Sequence, residues 1–145
     1  MTFADAPELQ GIRLGMSLDE VQARIPKLKV SSPIDGGVVQ GFAIQPGEGV
    51  FLIDLAFLHH RLGRFVIKYA GPFGPVEKKV FISSIVQALG LEAGWARSSF
   101  RFECNDFIIL IGEENKRSVT MIDKAANPII NKAINDSWTT SAKER

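Results

Sequence analysis

Histidine, cysteine and carboxylate side chains are the groups most able to do chemistry, and this sequence brings few of them together. Its two histidines, His59 and His60, are adjacent and separate two apolar segments, so they predict an exposed hairpin turn. Adjacent side chains point in different directions, whereas metal ligands must converge on one ion. We therefore expect no metal site here, and a site shared with a partner is the alternative for this pair.

Cys104 is the single cysteine, so an internal disulfide is excluded. A nucleophilic thiol needs a general base, and only the two histidines, in the other half of the chain, are available as one. Cys104 has the same strand parity as Phe100 and Phe102, which favours a small buried side chain at a strand end.

Asp54 lies in a strongly apolar segment, an environment that can tune a carboxyl group for catalysis. In the predicted hairpin, however, Arg64 and Lys68 fall at diagonal positions beside it, which indicates a cross-strand ion pair on the wetter face. No second carboxylate is placed to act with it as an acid–base couple. The sequence therefore predicts a protein that is not an enzyme and that holds no cofactor and no metal.

Composition fits one folded domain over residues 1–145, since the chain is 46% hydrophobic and 23% charged. A net charge of +1 gives no basic excess for phosphate contacts, so we expect no nucleic-acid partner. The longest apolar runs are far shorter than the ~20 residues of a membrane-spanning helix. With no apolar leader, the sequence as written predicts a cytoplasmic protein, or a periplasmic or envelope protein if it is a trimmed form of a longer chain.

Capping and breaking residues mark the predicted elements. Ser17 and Glu20 form a capping box before the first helix, and Pro26 ends that helix. Gly90 follows the second helix as its C-terminal cap. The predicted elements are helices at 18–25, 76–89 and 129–136 and strands at 38–44, 50–58, 62–69, 95–104, 107–111 and 118–122.

This order, helix, three strands, helix, three strands, helix, predicts an α+β fold in which an antiparallel sheet has helices packed on one face. Residues 11–70 and 71–137 repeat the order, so a tandem of two helix-plus-sheet units is the alternative arrangement, and residues 138–145 are expected to be a frayed tail. The inward strand positions predict one continuous core between helices and sheet, filled by Phe51, Phe57, Phe65, Phe100 and Phe102.

One predicted strand supplies the candidate contact residues. Trp95, Arg97 and Arg101 alternate along it and share the face opposite Phe100 and Phe102. Trp and Arg are the residue types most enriched at binding hot spots. We expect these three residues to bind a partner protein, and the alternative for Trp95 is that it closes one end of the core.

Two segments resemble a known family. Residues Gly11 to Val21 have the pattern G-x-x-x-G-M-[ST]-x-x-E-V, and the stretch L-G-R-F-V-I-K-Y ends at Tyr69. Both resemble the SmpA/OmlA family of small outer-membrane-assembly lipoproteins, whose wider group has the fold of the β-lactamase inhibitor protein. The resemblance implies a capped helix packed on an antiparallel sheet and a non-catalytic protein-binding module.

Two functions follow as expectations from these patterns. The first is a non-enzymatic interaction or assembly module that binds a partner protein through its sheet face. The alternative is a small apolar-ligand binding protein whose Phe-lined pocket lies between the helices and the sheet.

Overall fold

The computed structural model describes residues 6–34, 36–91, 96–98 and 100–143, with the side chains of 96–98 and 139–143 excepted. Its helices are α1 (Leu18–Arg24), α2 (Pro75–Leu89) and α3 (Ala126–Lys143). Its strands are β1 (Lys29–Val30), β2 (Val38–Gly47), β3 (Val50–Leu58), β4 (Arg61–Tyr69), β5 (Ala96–Ser98), β6 (Arg101–Glu103), β7 (Phe107–Ile111) and β8 (Ser118–Asp123). The strands form one antiparallel sheet in the order β1-β2-β3-β4-β8-β7-β6-β5.

The α+β class and the antiparallel sheet are confirmed, but the expected order of three strands per half is wrong. The described chain runs helix, four strands, helix, four strands, helix, and the segments 11–70 and 71–137 supply four strands each. The two sets of strands meet where β4 pairs with β8, from Arg64 opposite Ile122 to Lys68 opposite Ser118.

Both additional strands are short, which explains why the sequence pattern did not reveal them. Strand β1 has only two residues, fewer than any alternation of polar and apolar side chains can show. The predicted strand 95–104 is a hairpin in which Ser98 pairs with Arg101 and Ala96 with Glu103. The sequence has serines at 98 and 99, and serine is a weaker turn signal than Gly, Pro or Asn, so the pattern did not predict a break in this strand.

One side of the sheet, called here the inner face, is covered by α1 and α2. Val21 of α1 and Ile85 of α2 belong to the same buried cluster as Phe65 and Met121 of the central strands. The capping box of α1 is present as predicted, because the Ser17 hydroxyl accepts from the Glu20 amide at 3.2 Å and the reciprocal bond is also made. The inner face is defined by Val39, Ile53, Leu55, Phe57, Phe65, Ile67, Phe102, Phe107, Ile109, Ile111, Val119 and Met121.

The third helix packs on the other side of the sheet, called here the groove face, so the expectation that all helices share one face is wrong. Ala126, Ile130 and Ala133 of α3 form a separate buried cluster with Val38 and Ala56. Helical periodicity shows which side of a helix is apolar, but not which face of a sheet receives it. The groove face is defined by Gln40, Phe42, Leu52, Asp54, Ala56, Arg64, Val66, Lys68, Ile108, Leu110, Thr120 and Ile122, which follow the register across the strands.

A glycine lets α3 approach the groove face closely. The register passes from Ala56 opposite Arg64 to Phe57 opposite Leu62, so Gly63 is the extra residue of a β-bulge. A Cβ atom on Gly63 would lie 2.8 Å from Ile130 Cδ1 and 3.0 Å from the Ala126 Cβ. Any larger side chain at this position would therefore push the helix away from the sheet.

The hairpin of β3 and β4 forms, with a tighter turn than predicted. Leu58 pairs with Arg61, so the loop has the two residues His59 and His60, both with positive φ, and not the three residues expected. Both histidines are exposed, as the sequence predicts.

The predicted phenylalanine core is confirmed only in part. Phe57, Phe65 and Phe102 are buried, whereas Phe51 is 54% exposed and Phe100 38% exposed. Phe51 is the extra residue of a second bulge, between the pairs Val50–Tyr69 and Leu52–Lys68, and the hairpin of β5 and β6 moves Phe100 out of strand alternation into a turn.

Candidate functional site

Helix α3 covers only part of the groove face, and the rest is an open groove of about 680 Å³. Its lining crosses the five adjacent strands β2, β3, β4, β8 and β7. At ~4.8 Å between strands, this span is roughly 19 Å, the length of about five or six extended residues. Apolar side chains form much of the lining, namely Phe42, Val66, Leu110 and Ile122.

Arg64 lies in this groove next to the first turn of α3. Its Nη1 donates to Asn127 Oδ1 at 3.1 Å and also to Asn131 Oδ1. The two asparagines are four positions apart on α3 and therefore lie on one side of the helix. Burial lowers the pKa of Arg64 below its ordinary value, and the nearby Asp54 carboxylate opposes this shift.

Asp54 lies in the same groove and forms the predicted ion pair. Lys68 Nζ lies 4.0 Å from Asp54 Oδ2, and both side chains are partly exposed. The predicted cross-strand ion pair of Asp54 is therefore confirmed for Lys68, which lies on the neighbouring strand β4. Glu113 lines the opposite part of the groove, so the site contains charges of both signs.

The three contact residues expected from the sequence are only partly described. Trp95 lies outside the described residues, and the side chain of Arg97 is not among those described. The backbone of Arg97 pairs with Phe102, whereas Arg101 pairs with Ser98. Arg97 and Arg101 therefore lie on different strands and do not alternate along one strand, because the chain turns back between them.

Arg101 is exposed and borders the groove face, since it pairs with Leu110 across β6 and β7. Its guanidinium donates to Glu103 Oε1 at 3.0 and 3.2 Å, and Lys124 Nζ lies 2.8 Å from Glu103 Oε2. Lys124 first and Arg101 second hold the pKa of Glu103 below its ordinary value by hydrogen bonding to its ionised form. Of the three predicted contact residues, Arg101 has a described side chain, and the structure places it beside the groove.

The sequence predicted that Asp54, Arg64 and Lys68 lie close together, but it did not predict the hydrogen-bond partners of Arg64. Arg64 was expected to face Asp54, whereas its hydrogen bonds go to Asn127 and Asn131, 63 and 67 positions away along the chain. The one sequence signal for this contact was the four-residue spacing of the two asparagines on an otherwise apolar side of the helix. That spacing could not identify Arg64 as their partner, because the contact depends on which face of the sheet α3 covers.

The burial of the remaining candidates for chemistry, Cys104 and the two histidines, agrees with the sequence-based expectation. Cys104 is buried at the end of β6, and His59 and His60 are exposed in the turn between β3 and β4. Within the described part of the chain, no three His, Cys, Asp or Glu side chains come together in a way that could hold a metal ion. Among the same residues, no helix is long and apolar enough to cross a membrane.

A second cavity, of about 650 Å³, opens beside α1 at one end of the sheet. Its lining includes Arg13, Met16, Glu20, Arg61 and Asp123. The space between the inner face and the helices is filled by side chains of the main core.

No protein-family model matches the chain, and no curated protein and no solved structure matches it. The resemblance of residues 11–21 to the SmpA/OmlA family therefore stays a prediction.

Proposed function

We propose that this protein is a non-catalytic interaction or assembly module that binds a segment of a partner protein in the open groove of its sheet. The observation that carries the proposal is the unequal covering of the two sheet faces. The inner face is closed by α1 and α2, while the groove face leaves Phe42 41% exposed beside Val66 and Leu110. Apolar surface that a fold leaves open next to polar groups is characteristic of an interaction site.

The mixture of side chains supports a protein partner. Interfaces commonly combine an apolar centre with a polar and charged margin. In the groove, Val66, Leu110 and Ile122 supply apolar surface, and Arg64 and Glu113 add charged groups to the same lining.

Site-specific photo-crosslinking in living cells tests the proposal. A photoreactive phenylalanine analogue replaces Phe42 in the groove and, in a control protein, Val76 on the outer side of α2, where the native side chain is 72% exposed. We expect a discrete crosslinked product from position 42 and not from position 76. Equal products from both positions, or none from position 42, would contradict the proposal.

Direct binding of the purified crosslinked partner completes the test. Val66→Arg fills the groove with a long charged side chain, and Val80→Arg makes the same change on exposed helix α2 as a matched control. We expect the first substitution to weaken binding at least about tenfold and the second to leave it unchanged.

The volume of the groove favours one further candidate function, the binding of a small apolar ligand. Small-molecule sites usually have volumes of about 300–1,000 Å³, and the groove measures about 680 Å³. This location differs from the expected pocket between helices and sheet. A thermal-shift screen of apolar small molecules checks it, because a ligand that binds only the folded state raises the melting temperature. If the screen finds no compound that stabilises the wild type but not Val66→Arg, the small-ligand function is excluded and the protein partner remains.

A further inference from the structure

Arg64 lines the groove and has several hydrogen-bond donors that its contacts within the described chain do not use. A guanidinium has five N–H donors, and the contacts of Arg64 within the described chain use only Nη1, to Asn127 and Asn131. The side chain is half-buried, and it lines the groove together with Val66 and Ile122.

The acceptors that hold Arg64 orient it without neutralising it. Both are amide oxygens, so they fix the guanidinium plane against α3 but supply no negative charge. Within the described residues, the ion pair of Asp54 is formed with Lys68 and not with Arg64. Arg64 therefore hydrogen-bonds only to neutral acceptors and keeps spare donors, with the Asp54 carboxylate nearby but not paired to it. An incoming anion that pairs directly with these donors stabilises such a half-buried cation.

The charge of the groove favours a singly charged anion. Asp54 and Glu113 also line the groove, and they would repel a phosphate, which carries close to two negative charges. A carboxylate carries one negative charge, and its two oxygens match the fork of a guanidinium in a bidentate pair. The apolar side chains of Val66 and Leu110 lie in the same groove and suit an aliphatic group next to that carboxylate.

We propose that Arg64 is the receptor for a carboxylate of the bound segment, and that the groove recognises this carboxylate together with a neighbouring apolar side chain. The inference rests on the proposed function, since it specifies the chemistry of the partner segment in the same groove. Arg64 lies on β4, the middle one of the five strands that the groove crosses, so a segment that fills the groove continues on both sides of it. The carboxylate is therefore that of an acidic side chain next to an apolar residue.

Heteronuclear NMR with small probes tests the inference on the whole protein. N-acetyl-leucine carries a terminal carboxylate, N-acetyl-aspartyl-leucine amide carries a side-chain carboxylate, and N-acetyl-leucine amide is the uncharged control. We expect the aspartyl probe to shift the Arg64 Nε–Hε resonance and the groove-face amides, with an affinity at least about tenfold above that of the uncharged amide. Tighter binding of N-acetyl-leucine than of the aspartyl probe would contradict a side-chain source of the carboxylate.

Substitutions separate the receptor role from general charge. Arg64→Gln is expected to abolish carboxylate binding, and Arg64→Lys to weaken it about tenfold, because lysine keeps the charge but loses the planar fork. Arg24→Gln is the matched control, since Arg24 is an exposed arginine at the end of α1 that already pairs with Glu8 outside the groove, and binding should be unchanged. The NMR spectrum of each variant also shows whether the fold is retained.

Three outcomes would overturn the inference: equal affinity for the uncharged amide, unchanged binding in Arg64→Gln, or tighter binding of inorganic phosphate than of either carboxylate. The proposed function is judged separately with the crosslinked partner. If Val66→Arg blocks that partner and Arg64→Gln does not, the groove is the interface and the carboxylate inference is wrong. If neither substitution weakens partner binding, both proposals fail.

Discussion

The two faces of the sheet are built from the same strands but are completed differently. On the inner face, Phe57, Phe65 and Phe107 have no solvent exposure. On the groove face, Phe42 is 41% exposed, and Arg64 and Lys68 alternate with the core residues of β4. The alternation of side chains along each strand thus separates two tasks, so that one face supplies most of the buried apolar area and the other keeps a surface open.

The largest expected effect on stability is for a substitution on the inner face. Phe65→Ala should lower the free energy of unfolding by about 3–5 kcal/mol, because it removes a fully buried ring from a packed core. Val66→Ala, the next position on β4, is half-buried in the groove and should cost about 1 kcal/mol. Urea denaturation of both variants measures the difference. Similar losses would show that the groove face contributes as much to stability as the inner face, and would contradict the difference between the two faces.

The next effect concerns the part of the groove face that α3 covers. Gly63→Ala should destabilise the protein by about 1–3 kcal/mol, because the added methyl would meet Ile130 Cδ1 at 2.8 Å and the Ala126 Cβ at 3.0 Å. Gly47→Ala is the control, since a Cβ there has no neighbour within 4 Å. Thermal unfolding should place the control within about 0.5 kcal/mol of the wild type. If the two glycine variants unfold alike, α3 does not pack closely at Gly63.

A smaller effect on stability is expected at the N-terminus of α1, one of the two helices that cover the inner face. Ser17→Ala removes the hydroxyl that accepts from the Glu20 amide and should cost about 1 kcal/mol. Ser17→Asp keeps a side-chain acceptor at the same position and should leave stability nearly unchanged. Urea denaturation measures both. A loss of equal size in the two variants would assign the effect to packing around Ser17 and not to the cap.

Local rules predicted the elements whose boundaries depend on neighbouring residues. The capping box at Ser17, the left-handed Gly90 after α2 and the pairing of Asp54 with Lys68 are all present. Each involves contacts that a helix end or a single hairpin fixes by itself.

Features that depend on two distant segments were not predictable in the same way. The bulge at Gly63 shifts strand parity by one residue, and the place of α3 decides which side chains Arg64 meets. A periodic pattern contains no information on either point, because both are set by tertiary packing. The candidate site was therefore predicted as a sheet face, while the groove and its arginine required the structure.

The smallest effect tests the charges at the margin of the groove face, where Arg101 and Lys124 contact Glu103. Titration of the Glu103 carboxyl by NMR should give a pKa below the ordinary value, and Lys124→Met should raise it more than Arg101→Gln, because the bond from Lys124 lowers that pKa most. Since the folded-state pKa is depressed, the contribution of Glu103 to stability is fully present above its unfolded-state pKa. It is lost as the pH falls through the lower folded-state pKa. Glu103 is 40% exposed to solvent, so the change in unfolding free energy should be small beside that of Phe65→Ala. An unchanged titration in Lys124→Met would mean that the 2.8 Å contact does not persist in solution and that Arg101 is the residue that lowers the pKa of Glu103.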